Sequence, residues 1–91
     1  MKGVVVAKQV KIASAANTIV PAYLVLLAKG YLVTRIGVSE HEETWQALKG
    51  GDEFLSEDPV SLLGLVVLYE MRGMDWKADD AEIDAFVARF P

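Results

Sequence analysis

Two stretches of this chain are apolar on every side, and a helix built that way is normally covered on every side. Ile19–Ala28 carries no charge at all, and in Val60–Arg72 only Ser61, Gly64, Glu70 and Arg72 are not apolar. A single small domain of 91 residues has to supply the cover. A domain of that size buries only roughly 60–65% of its unfolded surface. Here 53% of the residues are hydrophobic, with seven glycines besides, which is above the usual range. One arrangement packs the two helices on each other beneath a sheet and leaves a few apolar residues exposed. The surplus favours a second one, a helix-mediated homodimer, because burying apolar area is worth about 25 cal/mol per Å². Gly64, between Leu63 and Leu65, would let another helix approach closely.

Charge is divided along the chain. Residues 1–39 hold Lys2, Lys8, Lys11, Lys29 and Arg35 and no acid; all 13 acids follow, beginning at Glu40. The two signs can be matched inside the fold or left as a two-signed surface for a partner. The net charge of −4 argues against nucleic acid, whose phosphates need a Lys/Arg field. The absence of cysteine removes disulfides, thiolate catalysis and cysteine-type zinc sites, and fits a cytoplasmic protein. The uncharged run Ile12–Ala28 contains Ser14, Asn17, Thr18 and Pro21 and is shorter than the roughly 20 residues that span a bilayer. Lysines precede it, but no small-x-small cleavage site follows, so it reads as a turn and a buried helix rather than a targeting or membrane segment.

Local signals give an element order. Residues 3–12 alternate and are β-branched, which favours a strand; Val6, Val10 and Ala13 also repeat at helical spacing. Ser14–Asn17 reads as a turn. Thr18 is the expected N-cap of a helix that has Pro21 in its first turn and ends near Lys29, with Gly30 as terminator. Tyr31–Val38, Glu43–Lys49 and Asp52–Ser56 read as strands, the last two joined at Gly50-Gly51, a hairpin signal because glycine accepts positive φ. Asp58 at N-cap and Pro59 at N1 open a helix that runs Val60–Arg72 and stops at Gly73. A last helix starts near Asp79, with Glu82 in a capping-box position. Its Ile83, Phe86, Val87 and Phe90 form one stripe, expected to pack on one side. The predicted class is α+β: an antiparallel meander of three to four strands with two to three helices on one face, in the order β-α-β-β-β-α-α.

Few residues point to chemistry. His41, flanked by Glu40, Glu42 and Glu43, lacks the second histidine of a zinc-protease helix and reads as a solvated turn residue, with metal ligation or general-base work as the weaker alternative. Glu70 lies near the end of an apolar helix, where a carboxylate needs a partner such as Arg35 or Arg72. It is either structural or part of a site that holds a polar ligand between walls of Tyr69, Trp45 or Trp76. Asp75, Asp79 and Asp80 cluster without the ligand spacing of a calcium loop; a cap and first-turn role accounts for Asp79 and Asp80. Trp76 reads as a lid on the core. No pattern calls for a cofactor, and no Gly-rich phosphate loop or Ser/His/Asp arrangement is present.

Pro21 to Trp76, carried by Gly30-Tyr31, Trp45, Leu62 to Leu65, Glu70, Arg72-Gly73 and Trp76, resembles small bacterial domains of uncharacterised function. By type, that resemblance implies an immunity-like or accessory binding role. The leading expectation is therefore a non-catalytic protein-binding domain. Its acidic stretch Glu40–Asp58, seven acids against Lys49 alone, would meet a basic partner through Glu42, Glu43, Asp52 and Glu53. The alternatives are a small-molecule binder or minor enzyme with a pocket near Arg35, Glu70 and Trp76, and a structural subunit of a larger assembly.

Overall fold

The computed structural model describes residues 9–14, 17–39 and 42–91. It contains one three-stranded antiparallel sheet and three α-helices, an α+β fold. The order is α1 (Ile19–Ala28), β1 (Leu32–Val38), β2 (Glu43–Lys49), β3 (Asp52–Ser56), α2 (Pro59–Arg72) and α3 (Asp80–Arg89), with a 3-10 turn at Gly73–Asp75. Most of the strand expected over residues 3–12 lies outside the described residues. Its described part, residues 9–12, is exposed and in no strand. The turn expected at Ser14–Asn17 falls partly outside them too, at residues 15 and 16.

α1 ends in a Schellman motif. The Gly30 amide donates to the Leu27 carbonyl at 2.9 Å and the Tyr31 amide to the Leu26 carbonyl at 3.0 Å. Gly30 takes φ +95°, a conformation that glycine adopts at no steric cost. Leu26 and Tyr31 then meet in the core, the apolar contact that accompanies this cap. Thr18 makes no side-chain cap hydrogen bond; its carbonyl alone accepts from Ala22, at 3.1 Å.

The sheet follows chain order, β1-β2-β3. β2 and β3 pair from Trp45↔Ser56 to Lys49↔Asp52, and of the two turn glycines only Gly50 has positive φ, +62°. Between Arg35 and Gly37 the β1–β2 register shifts, leaving Ile36 unpaired as a bulge. The strands' share of the core comes from Val33, Trp45, Ala47 and Phe54, which alternate with residues of the opposite face. On that opposite face Thr34 Oγ1 donates to Gln46 Oε1 at 3.2 Å, and Gln46 Nε2 donates to Glu53 Oε2.

α2 supplies the centre of the core. Asp58 accepts from the Ser61 amide at 2.7 Å, and Pro59 occupies the first turn, the arrangement its sequence predicts. Leu62 and Val66 are fully buried against Leu26 of α1, Tyr31 and Ala47. The fit is not all-round burial, however. Leu24, Val25 and Leu27 on α1 and Val60, Val67 and Leu68 on α2 remain about half exposed, and Met71 nearly fully so. α3 contributes nothing to the core. All its residues are exposed, including Ile83, Phe86 and Val87, and so is its C-cap Phe90. The stripe expected to pack on one side is thus left uncovered by the described residues. The amphipathic pattern specifies a face that suits burial, but not what it meets.

Candidate functional site

The turn between β1 and β2 is cinched by its own polar groups. The Ser39 amide donates to the Glu42 carbonyl at 2.7 Å, and the Glu42 amide donates to Ser39 Oγ at 3.0 Å. With both main-chain groups of Glu42 engaged, its carboxylate is left at the surface. Beside this turn lies a groove of about 660 Å³ lined by polar residues, Ser39, Glu42, Glu43, Thr44, Ser56 and Glu57, and by Leu55. Among the described residues, three carboxylates and no cation line it. Glu43 is the anchored one. Trp45 Nε1 donates to its Oε1 at 2.9 Å, and Arg35 Nη1 stands 3.9 Å from its Oε2. The guanidinium of Arg35 also lies 5.7 Å from the centroid of the Trp45 ring, a cation–π contact.

A second charged cluster forms at the far end of the sheet. Lys29 Nζ meets Glu70 Oε1 at 2.7 Å, so the partner of Glu70 is Lys29, and neither Arg35 nor Arg72. Both side chains are about one-third exposed, which makes this a surface ion pair, worth about 0–1 kcal/mol. Lys49 Nζ donates to the Lys29 carbonyl at 2.7 Å and lies 5.3 Å from the Tyr31 ring centroid. A lysine from the sheet therefore sits at the negative end of the α1 dipole. Asp52 stands opposite Lys49 in the strand register, and Glu53 accepts from Gln46. Tyr31, Phe54 and Tyr69 stack edge to face at 5.8 and 5.6 Å. Burial, followed by the nearby charges of Glu70 and Asp52, pushes the Tyr31 hydroxyl above its ordinary pKa.

Arg72 works at the base of α3. Its Nη2 reaches both carboxylate oxygens of Glu82, at 2.9 and 3.1 Å. Glu82 also accepts from the Asp79 amide at 3.0 Å while its own amide donates to Asp79 at 2.8 Å, a complete capping box. Trp76 is partly buried over a small apolar cleft of about 230 Å³ between β3 and α2, with Phe54, Leu65 and Tyr69. Arg35, Glu70 and Trp76 thus belong to three separate neighbourhoods, and none of the three clefts is lined by them together. His41 lies outside the described residues. Among the described residues no group of three or more His, Asp or Glu is placed to hold a metal ion, and no helix is long and apolar enough to cross a membrane.

The third cleft, about 360 Å³, is lined by Ile19, Val20, Tyr23, Val33, Trp45 and Pro59. The sequence reading named Trp45 but missed the rest, along with Lys29, Lys49 and Glu57. Only Glu57 had a signal, its place in the acidic run. The arrangement offers a cation-attracting groove at one end and apolar clefts and helix faces elsewhere. No family model matches the chain, and no curated protein and no solved structure matches it.

Proposed function

We propose that this domain acts by binding a basic protein surface, without catalysis, and does so as a homodimer in the cytoplasm. The observation that carries the reading is the 660 Å³ groove that Glu42, Glu43 and Glu57 line together, with no cation among its described lining residues and Arg35 approaching Glu43 alone, at 3.9 Å. Such a surface attracts and orients a Lys/Arg-rich partner, raising the rate of encounter and penalising acidic competitors. The dimer is supported by the half-exposed apolar residues of α1, α2 and α3, more than a soluble monomer ordinarily shows together. An immunity-like or accessory role in a bacterial cell is the concrete version, in line with the resemblance of Pro21 to Trp76. The finer architecture, a strand ahead of α1 and helices gathered on one face, belongs to the same proposal.

The test is affinity capture with the wild type and with a Glu42→Lys/Glu57→Lys variant. Both side chains are exposed and neither makes a described side-chain hydrogen bond, so the fold should be kept. The expected result is at least about tenfold weaker capture at low salt with an unchanged melting temperature. Equal capture by the two proteins ends the acidic-groove reading.

A further inference from the structure

Among the described residues, α3 and the cleft at the start of α1 have no apolar partner. Ile83, Phe86, Val87 and Phe90 are 48%, 64%, 55% and 61% exposed. The rings of Phe86 and Phe90 sit 5.2 Å apart, forming one apolar knob at the tip of the helix. The cleft of Ile19, Val20, Tyr23, Val33, Trp45 and Pro59 is a socket of about 360 Å³ with largely apolar walls. It opens beside Pro59, the first residue of α2, whereas α3 leaves from the opposite end of α2. In its own chain α3 does not meet the socket: none of its residues lines that cleft, and all of them are exposed. Its base is also pinned at the far end by the Arg72–Glu82 pair and the capping box.

We propose that α3 is an exchanged arm: the Phe86–Phe90 knob of one copy docks in the Ile19–Val20–Tyr23–Trp45 socket of a second copy, and the second copy returns the contact. The proposal rests on the dimeric reading above and specifies its surfaces. Charge fits the exchange. Asp80 and Asp84 lie on the arm, while α1 and β1 fall within the acid-free residues 1–39. Arg35, stacked on the socket's Trp45, is 51% exposed, and among the described residues its ion-pair contact is a 3.9 Å approach to Glu43, which leaves it open to an acid from the arm. Area fits as well. Two phenylalanines exposed to this degree offer roughly 200–300 Å², and with Ile83 and Val87 each arm offers about 400 Å². Two arms fully covered hide about 800 Å² of their own surface, and with the socket walls added the total approaches the roughly 1,200 Å² at which stable specific interfaces begin. Reciprocal exchange is isologous and closes on two copies.

Sedimentation equilibrium on the full chain tests the exchange, using the wild type, an arm variant (Phe86→Glu/Phe90→Glu) and a socket variant (Val20→Glu, a site 51% exposed). The expected result is twice the chain mass for the wild type and a single chain mass for both variants. Because the sequence has no cysteine, a second readout is available if a variant fails to fold. Proteins carrying only Val20→Cys or only Val87→Cys, made at different masses by isotope labelling, are mixed and oxidised. The exchange predicts predominantly the mixed disulfide dimer. A monomeric wild type overturns both the dimer and the exchange, leaving the apolar faces to another protein. A wild-type dimer that survives in the arm variant, or disulfides that form at random, overturns the exchange alone.

Discussion

Tyr31 joins burial and charge in a single side chain. It is 6% exposed, lies under the ammonium of Lys49, and has Glu70 and Asp52 close enough to oppose its ionisation. A hydroxyl whose pKa is raised on folding stays protonated in the native protein where the unfolded chain has already released its proton. Stability is then intact below the ordinary value of 10.0 and falls as the pH rises from there through the native value. Tyr31→Phe should remove this part of the alkaline loss. Urea unfolding of the two proteins at successive pH values from about 9 to 11 checks it, and parallel losses would exclude the role given to Tyr31. The sequence marked Glu70 as a carboxylate in need of a partner, but pointed to arginines on a strand or on the same helix. Lys29 was illegible as that partner because the pairing depends on the end of α1 lying against the end of α2, a contact between residues 41 apart.

Apart from Thr18, whose side chain makes no cap bond, the helix caps are written in the chain. Asp58-Pro59, Asp79 with Glu82, Gly30 and Gly73 each act locally, so no distant contact can displace the signal. Their consequences differ with what each helix touches. Asp58→Ala loosens α2, which holds the fully buried Leu62 and Val66, and should lower the stability of the whole domain by about 1 kcal/mol. Asp79→Ala acts on a helix outside the core and should reduce helix content by far-ultraviolet circular dichroism while the core melts as before. Acid should mimic it. The amide of Asp79, then Arg72, holds the Glu82 carboxyl below its ordinary value of 4.5. The support it gives α3 is therefore present above that pH and lost as the pH falls through the native value. Reduced amide protection in α3 at low pH, measured against the intrinsic exchange rate and absent in α2, is the expected signature. The helical period of α3 was equally legible, but its lack of cover was not, because a hydrophobic stripe encodes a face and not a neighbour.

At the scale of the molecule, the charge division is partly settled inside the chain. Lys29–Glu70 and Arg35–Glu43 both join the acid-free stretch 1–39 to later acids, while Glu42 and Glu57 are left beside their groove. The apolar surplus is not settled. The Cα radius of gyration is 17.7 Å, against about 12 Å for a compact domain of this length. A molecule completed by a second copy gains stability by mass action, so its melting temperature should rise with protein concentration. Calorimetric scans across a hundredfold dilution series check this, and a concentration-independent midpoint would leave the domain stable without a second copy. One plain feature, a sheet whose neighbours in space are neighbours in sequence, bears on how the molecule comes into being. Each strand pairing closes only a short loop, which favours rapid assembly. The slow decision is left to the helices: α1 leaves the ribosome before the sheet and waits, greasy and uncovered, until α2 has been made.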